Sequence, residues 1–139
     1  MRHAIFIGSN PSASANSWEP FCISTKSGRT LHEWIKRANV EIIGMINVHS
    51  YPTPNNKPLT NTQIVSSLPN ITAYLSMYRQ NPPIVAVGKT AAKALTLLGI
   101  PFYELPHPSG MNRLCNDKEY VEEKLKGLSA YAERPIKSI

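Results

Sequence analysis

The chain has few cysteines and no long hydrophobic run, and each absence excludes a class of protein. Only Cys22 and Cys115 occur among 139 residues, and they form no CxxC or Cys/His spacing. The sequence therefore indicates neither a metal site nor a disulfide framework. No apolar run approaches the roughly 20 residues needed to cross a bilayer. Residues 1–3 lead directly into the strand-like run Ala4–Ile7 without a signal-peptide pattern, so we expect a cytoplasmic protein with no membrane partner.

Basic runs are also missing, although the chain is basic overall. Fifteen Lys and Arg against nine Asp and Glu give a formal net charge of +6, and these residues are scattered. A positive patch for a polyanionic partner would have to be assembled by folding. The length and the hydrophobic fraction of 42%, which is ordinary for a globular protein, predict a single domain over residues 1–139.

Short apolar runs alternate with helix-like segments along the chain. The predicted strands are 4–7, 41–48, 83–87 and 101–105. This alternation predicts an α/β fold, specifically a three-layer α/β/α sandwich with a four-stranded, mainly parallel sheet.

The predicted helices rest on apolar spacing and on capping residues. Ser27 is the predicted N-cap of a helix that extends to Ala38 and turns Trp34 toward the core. A helix rich in alanine follows Gly88, and an amphipathic helix covers 119–131.

The helix that begins near residue 60 is predicted from a capping box formed by Thr60 and Gln63. Its predicted inward-facing residues are Ile64, Val65 and Leu68. Pro69 is predicted to interrupt it, because proline lacks the N–H that an inner helical turn needs.

The tripeptide Gly88-Lys89-Thr90 is similar to the end of a phosphate-binding P-loop. That motif requires a glycine five residues before Gly88, where this chain has Pro83. We therefore reject a nucleotide-binding P-loop.

Polar residues follow three of the predicted strands. They are Asn10 within 8–12, Asn47 with His49, and His107. Ligands in open α/β sheets bind at the carboxyl ends of strands, so we expect these residues to converge on one site. For Asn47 alone, a satisfied strand-end residue is the commoner interpretation, and an amide that reads a base is the alternative.

The aromatic residues of the long loop 13–26 allow two interpretations. Trp18, Phe21 and Ile23 can plug the core, or the aromatic pair can stack on a planar ligand. The sequence leaves both open.

The loop 105–113 combines a fixed imidazole, a hydroxyl, an apolar side chain and a cation. Prolines on both sides of His107 stiffen the loop, and Gly110 permits a tight turn that would present 111–113 at its tip. The alternative is a proline-stiffened turn with a structural histidine.

Together these segments resemble the uracil-DNA glycosylase superfamily. Residues 8–12 (Gly-Ser-Asn-Pro-Ser) resemble its first motif, and 107–113 (His-Pro-Ser-Gly-Met-Asn-Arg) resemble its second motif with the wedge loop. Residues 46–52 are similar to the strand-end Asn and Pro-rich loop of the thermophilic branch, and 85–88 to another shared segment. The similarity covers about 4–128.

The resemblance implies a monofunctional DNA glycosylase that extrudes a nucleotide and hydrolyses its N-glycosidic bond. In that comparison His107 hydrogen-bonds the base O2 and Asn10 positions the attacking water. Asn47 reads the base edge, Phe21 stacks on the base, and Gly8 belongs to the same base-binding set. The implied DNA contacts are Ser12, Lys89, Ser109, Gly110, Met111, Asn112 and Arg113, with Met111 as the wedge. DNA is the expected partner, the protein is expected to be a monomer, and no metal or other cofactor is expected.

Several residues depart from the family pattern. The iron–sulfur cysteines of the thermophilic branch are absent, and Ser12 replaces the usual Gly of the Asn-type first motif. No aromatic beside Asn10 is placed to block a C5 substituent, so the sequence leaves open whether the expected base is uracil or a related modified pyrimidine.

Two other functions are compatible with the same residues. One is a non-catalytic DNA- or base-binding module, a sensor or blocker, because an amide at position 10 is a feeble base. The other is hydrolysis of a free nucleoside or nucleotide, which would not require a wedge at Met111.

Overall fold

The computed structural model describes residues 2–13, 15–108 and 116–133, and the backbone of 137–138. In chain order the elements are β1 (His3–Gly8), α1 (Lys26–Arg37), β2 (Glu41–Asn47), a 3-10 turn (Pro54–Asn56), α2 (Asn61–Leu75), β3 (Gln80–Asn81), β4 (Ile84–Val87), α3 (Lys89–Leu98), β5 (Tyr103–Leu105), α4 (Lys118–Ala132) and β6 (Lys137–Ser138).

The main sheet has four parallel strands in the order β2-β1-β4-β5, which confirms the predicted α/β fold. Ala4–Ile7 in β1 is fully buried, as expected for a central strand that is covered on both faces. A separate two-stranded antiparallel ribbon joins β3 to β6, and the sequence did not indicate it.

One core cluster lies on each face of the main sheet. Alternate residues of β1 divide between the clusters: Phe6 packs with α1 and α4, whereas Ile5 and Ile7 pack with α2 and α3. Trp34 is only 4% exposed within the first cluster, so its predicted core position is confirmed. The helices therefore form the two outer layers of the predicted sandwich.

The beginning of α1 differs from the prediction. The N-cap is Thr25, whose hydroxyl oxygen accepts a hydrogen bond from the Gly28 N–H over 3.0 Å, so the assignment of Ser27 was wrong. The Thr25 hydroxyl also donates to the Cys22 carbonyl over 2.7 Å, which ties the cap to the preceding loop. This extra local contact favours Thr25 over the equally suitable Ser27.

The beginning of α2 is the predicted capping box, but its middle is not as predicted. Thr60 and Gln63 exchange the two expected hydrogen bonds, of 2.8 and 3.2 Å. The helix then continues through Pro69, which is exposed. The carbonyl that loses its partner there belongs to Val65, which is itself 55% exposed, so water can satisfy it. The predicted interruption and the predicted inward position of Val65 were therefore both wrong.

Among the helices that the structure describes, none is long and apolar enough to cross a membrane.

Candidate active site

A cleft of about 760 Å³ opens at the carboxyl ends of the parallel strands. Ser9–Ser12 line it after β1, Asn47 at the end of β2, Gly88–Thr90 after β4 and His107 after β5. The loop that leads into α1 and residues 56–58 complete the wall. The fold thus brings residues from four strand ends into one cleft, as parallel topology requires.

Asn10 is held by three hydrogen bonds that fix the direction of its amide. The Ser9 hydroxyl donates to its Oδ1 over 2.9 Å. Its Nδ2 faces the carbonyl oxygens of Pro11 and Tyr51, each at 3.4 Å. An amide oxygen has two lone pairs, so Oδ1 can still accept a hydrogen bond from a water molecule in the cleft.

Asn47 is a buried side chain that lines the cleft. It is 8% exposed, ends β2, and lies opposite Gly8 in the register of β1 with β2. Within the residues that the structure describes, its amide has no hydrogen-bond partner. Buried polar groups are normally paired, so this amide is available to a ligand. No protein group in the described part of the chain satisfies this amide, and its role in reading a base stays a prediction.

Gly8 lies where the Phe21 ring and the Asn47 amide meet. A Cβ atom at Gly8 would be 2.5 Å from Cζ of Phe21 and 2.7 Å from Oδ1 of Asn47. Only glycine leaves room for both side chains, so a planar ligand in the cleft would meet an aromatic ring and an amide close together.

The backbone of Phe21 has a positive φ of 52°, which few residues other than glycine adopt. Its carbonyl oxygen lies 3.3 Å from Nε2 of His32. The same backbone passes so close to Gly28 that a Cβ at Gly28 would overlap the Cys22 carbonyl. These tertiary contacts hold the ring in the cleft wall, and strain of this kind is concentrated at functional sites. Trp18 and Ile23 of the same loop are 57% and 63% exposed, so they do not plug the core.

His107 lies between two buried prolines and against Gly88, which has a φ of 93°. A Cβ atom at Gly88 would be 3.2 Å from Cβ of His107, and the Gly88 N–H donates to the Leu105 carbonyl over 2.9 Å. Burial lowers the pKa of His107 below its ordinary range. The imidazole is therefore neutral at physiological pH, and it carries a single N–H.

The rim of the cleft carries more positive than negative charge. Lys26, Lys57 and Lys89 line the cleft together with Glu19. The Lys89 side chain is 90% exposed and its ammonium lies 3.1 Å from a carboxylate oxygen of Glu104. Ser12 also belongs to the wall.

The remaining predicted DNA contacts, Ser109, Gly110, Met111, Asn112 and Arg113, lie outside the described residues, so the wedge stays a prediction. His49, which follows Asn47, does not line the cleft. Within the described part of the chain, no three His, Cys, Asp or Glu side chains are grouped to hold a metal ion.

Some residues that shape the cleft were not predicted from the sequence. They include Ser9, Gly28 and the Tyr51 carbonyl. Ser9 stands next to Asn10 and has a hydroxyl that can reach it, so its role was detectable in principle. The main-chain contact of Tyr51 joins residues 41 positions apart, and no local pattern could reveal it.

The fold and the cleft define the class: a three-layer α/β sandwich with its candidate site at the carboxyl ends of parallel strands. The family model of the Uracil DNA glycosylase superfamily matches residues 3–128, from β1 into α4. The chain belongs to this superfamily, and membership supports a DNA glycosylase-like function with DNA as the bound molecule. A search of curated protein sequences found no match.

Proposed function

We propose that the protein hydrolyses the N-glycosidic bond of uracil, or of a related modified pyrimidine, in DNA and leaves an abasic site. One observation carries this proposal: the buried Asn47 amide lacks a partner among the described residues, and it faces the same cleft as Asn10 and His107. A base edge offers the paired donor and acceptor that such an amide needs.

The extruded base would enter the cleft with its ring against Phe21. The Asn47 Oδ1 would accept from the base N3–H, and its Nδ2 would donate to the base O4. Phe21 and Asn47 approach one another at Gly8, so ring stacking and edge recognition act on the same base.

His107 would stabilise the departing base. The transition state of glycoside hydrolysis is oxocarbenium-like, so negative charge collects on the base as the bond breaks. A neutral imidazole N–H aimed at the base O2 stabilises that charge without transferring a proton. The lowered pKa of His107 supports this role, because it keeps the ring neutral.

Asn10 would position the attacking water through Oδ1, with the amide held by Ser9. An amide accepts a proton poorly, so water attacks an already cationic sugar and the enzyme relies on electrostatic stabilisation instead of a strong base. We propose Ser12, Lys89 and 109–113 as DNA contacts, with Met111 as the wedge.

An assay for abasic sites tests the proposal. The protein is incubated with oligonucleotides that contain uracil or 5-hydroxymethyluracil, single- and double-stranded, and alkali-labile breaks are counted. Breaks that depend on both Asn10 and His107, shown with Asn10→Ala and His107→Ala variants of unchanged thermal stability, are the expected result. No breaks with either base would overturn the proposal.

A second candidate is a DNA- or base-binding module of the same fold without catalysis. The amide at position 10 favours it, since its Nδ2 is directed at two carbonyl oxygens and leaves only Oδ1 for water. Base-dependent binding without release of the base would select this candidate.

A further inference from the structure

Two large aromatic side chains are exposed beside the cleft. Trp18 and Tyr51 are each 57% exposed, and their ring centroids lie 5.2 Å apart with an interplanar angle of 83°. The His49 ring lies 5.9 Å from the Tyr51 ring at 70°. We call Trp18, His49 and Tyr51 the aromatic platform.

The geometry of the platform leaves ring faces uncovered. The Trp18 and Tyr51 planes are nearly perpendicular, so the pair can cover a face of only one of the two rings. Both side chains keep more than half of their surface in water, although aromatic side chains of this size usually contribute to cores or interfaces. An uncovered ring face can stack on a planar ligand.

Hydrogen bonds join the platform to the cleft. The Tyr51 carbonyl accepts from Asn10 Nδ2 over 3.4 Å. In the same loop Oδ1 of Asn56 accepts from the Ala13 N–H over 2.9 Å, and the buried Thr53 hydroxyl donates to the Lys57 carbonyl over 2.6 Å. The main chain of Tyr51 is therefore tied to the residue that would hold the attacking water, which places the Tyr51 end of the platform next to the cleft.

Charge near the platform suits a nucleic acid backbone. The cleft wall carries Lys26, Lys57 and Lys89 against Glu19, the neighbour of Trp18 in sequence, and Glu104 pairs with Lys89, so the local balance is still positive by one charge. A polyanion is attracted to such a rim, and bases that are free of a complementary strand can stack on exposed aromatic rings beside it.

We propose that Trp18, supported by the nearly perpendicular Tyr51 ring, stacks on an unpaired base next to the nucleotide held in the cleft, so that single-stranded DNA is the preferred substrate. This inference rests on the proposed function of the cleft. In a duplex the neighbouring bases already stack within the helix and pair with their complement, so the platform gains little from them.

Fluorescence reports stacking directly, because the chain has two tryptophans and Trp34 is buried. The protein is titrated with uracil-free oligothymidylate and with an abasic phosphodiester of the same length and charge. Oligothymidylate is expected to quench the emission, the abasic polymer is not, and Trp18→Phe is expected to abolish the response. Equal quenching by both polymers, or binding of oligothymidylate without quenching, would overturn the proposal.

Affinity measurements separate stacking from charge. Trp18→Ala and Tyr51→Ala are each expected to raise the Kd for single-stranded oligothymidylate about ten-fold, which corresponds to about 1.4 kcal/mol, and to leave the Kd for duplex DNA unchanged. Trp18→Phe and Tyr51→Phe should preserve most of the affinity. Met77→Ala, which removes an apolar side chain that is 69% exposed outside the platform, serves as the control. An equal loss of affinity for single-stranded and for duplex DNA in the alanine variants would contradict stacking on the platform.

The two proposals fail in different ways, because oligothymidylate contains no uracil and its binding does not require catalysis. Quenching through Trp18 without base release from any substrate would contradict the proposed function alone. The proposed stacking alone would be contradicted if the wild type released the base equally fast from duplex and single-stranded DNA, and if Trp18→Ala were as active as the wild type on both.

Discussion

Gly88 and His107 are in direct contact: a Cβ atom at Gly88 would lie 3.2 Å from Cβ and 3.4 Å from Cδ2 of the histidine. The φ of 93° at Gly88 carries the chain from β4 into α3 beside the imidazole. The glycine is thus both a turn and the wall against which the candidate catalytic ring rests.

We predict that Gly88→Ala lowers the rate of base release at least ten-fold and destabilises the fold by about 1–2 kcal/mol. The added methyl group strains the positive φ and also displaces His107. Single-turnover kinetics and thermal unfolding measure the two effects.

Gly99→Ala is the matched control for this prediction. Gly99 also has a positive φ, of 69°, but a Cβ there would meet nothing within 4 Å. The control should keep the wild-type rate and lose less stability, because the αL conformation of Gly99 accepts a side chain at lower cost than the φ of 93° and ψ of 172° at Gly88. Equal loss of activity in both variants would show that strain, and not contact with His107, is responsible.

A second prediction concerns Gly8. Gly8→Ala would force apart the Phe21 ring and the Asn47 amide, so we expect KM for the DNA substrate to rise at least ten-fold, with a loss of about 1–3 kcal/mol in the free energy of unfolding.

Gly44→Ala provides the comparison within the same sheet. A Cβ at Gly44 would overlap the hydroxyls of Tyr74 and Tyr78, away from the cleft, so this variant should lose stability but not substrate affinity. An unchanged KM in Gly8→Ala would contradict the proposed base-binding role.

The hydrogen bond from Ser9 to Asn10 leads to a third prediction. Ser9→Ala removes the donor that orients Oδ1, and a net hydrogen-bond contribution of about 1 kcal/mol corresponds to a fall in kcat of roughly five-fold. Ser9→Thr should restore the rate, because it keeps the hydroxyl. Ser27→Ala, which removes another hydroxyl from the cleft wall, should leave kcat unchanged. Normal kcat in Ser9→Ala would exclude this orienting role.

The fourth prediction follows from the lowered pKa of His107, which burial causes. In the unfolded chain the imidazole titrates near its ordinary value of 6.5, and in the folded protein it titrates below that. The unfolded state therefore binds more protons as the pH falls below 6.5, so the folded state loses stability there and keeps it at higher pH.

Denaturant titrations at several pH values test the direction in which stability changes with pH. The wild type should lose stability relative to His107→Gln as the pH decreases below 6.5, and the difference between them should be constant above neutral pH. A wild type that gains stability relative to the variant on acidification would show that the folded protein favours the charged ring.

The strand pattern predicted the architecture and the location of the cleft. Fully buried parallel strands are continuous apolar runs such as Ala4–Ile7, and parallel topology places the residues that follow them, including Asn10 and His107, at one edge. The superfamily was also predicted from the two motifs, and the family match over residues 3–128 confirms it.

Features that depend on tertiary environment were not predictable in the same way. A proline inside a helical pattern predicts a break, but Pro69 lies on the exposed side of α2 and the helix continues through it. Thr25 and Ser27 are equivalent N-caps in sequence, and the local turn that lets the Thr25 hydroxyl reach the Cys22 carbonyl distinguishes them; this turn belongs to the conformation of the long loop, which the sequence did not predict. The exposure of Trp18 likewise depends on how a long loop folds, since its composition suits both a core and a surface.

The role of Asn47 in base recognition is tested most simply by the release of free uracil from a uracil-containing single strand by the wild type and by Asn47→Leu. Leucine is similar in size and cannot hydrogen-bond, and it replaces a buried amide that has no partner in the described part of the chain. We expect the wild type to release uracil, and Asn47→Leu to lose this activity at least a hundred-fold while its thermal stability is equal or higher. Uracil release by Asn47→Leu at the wild-type rate would contradict the role of Asn47, and no release of uracil or of 5-hydroxymethyluracil by the wild type would contradict the proposed activity.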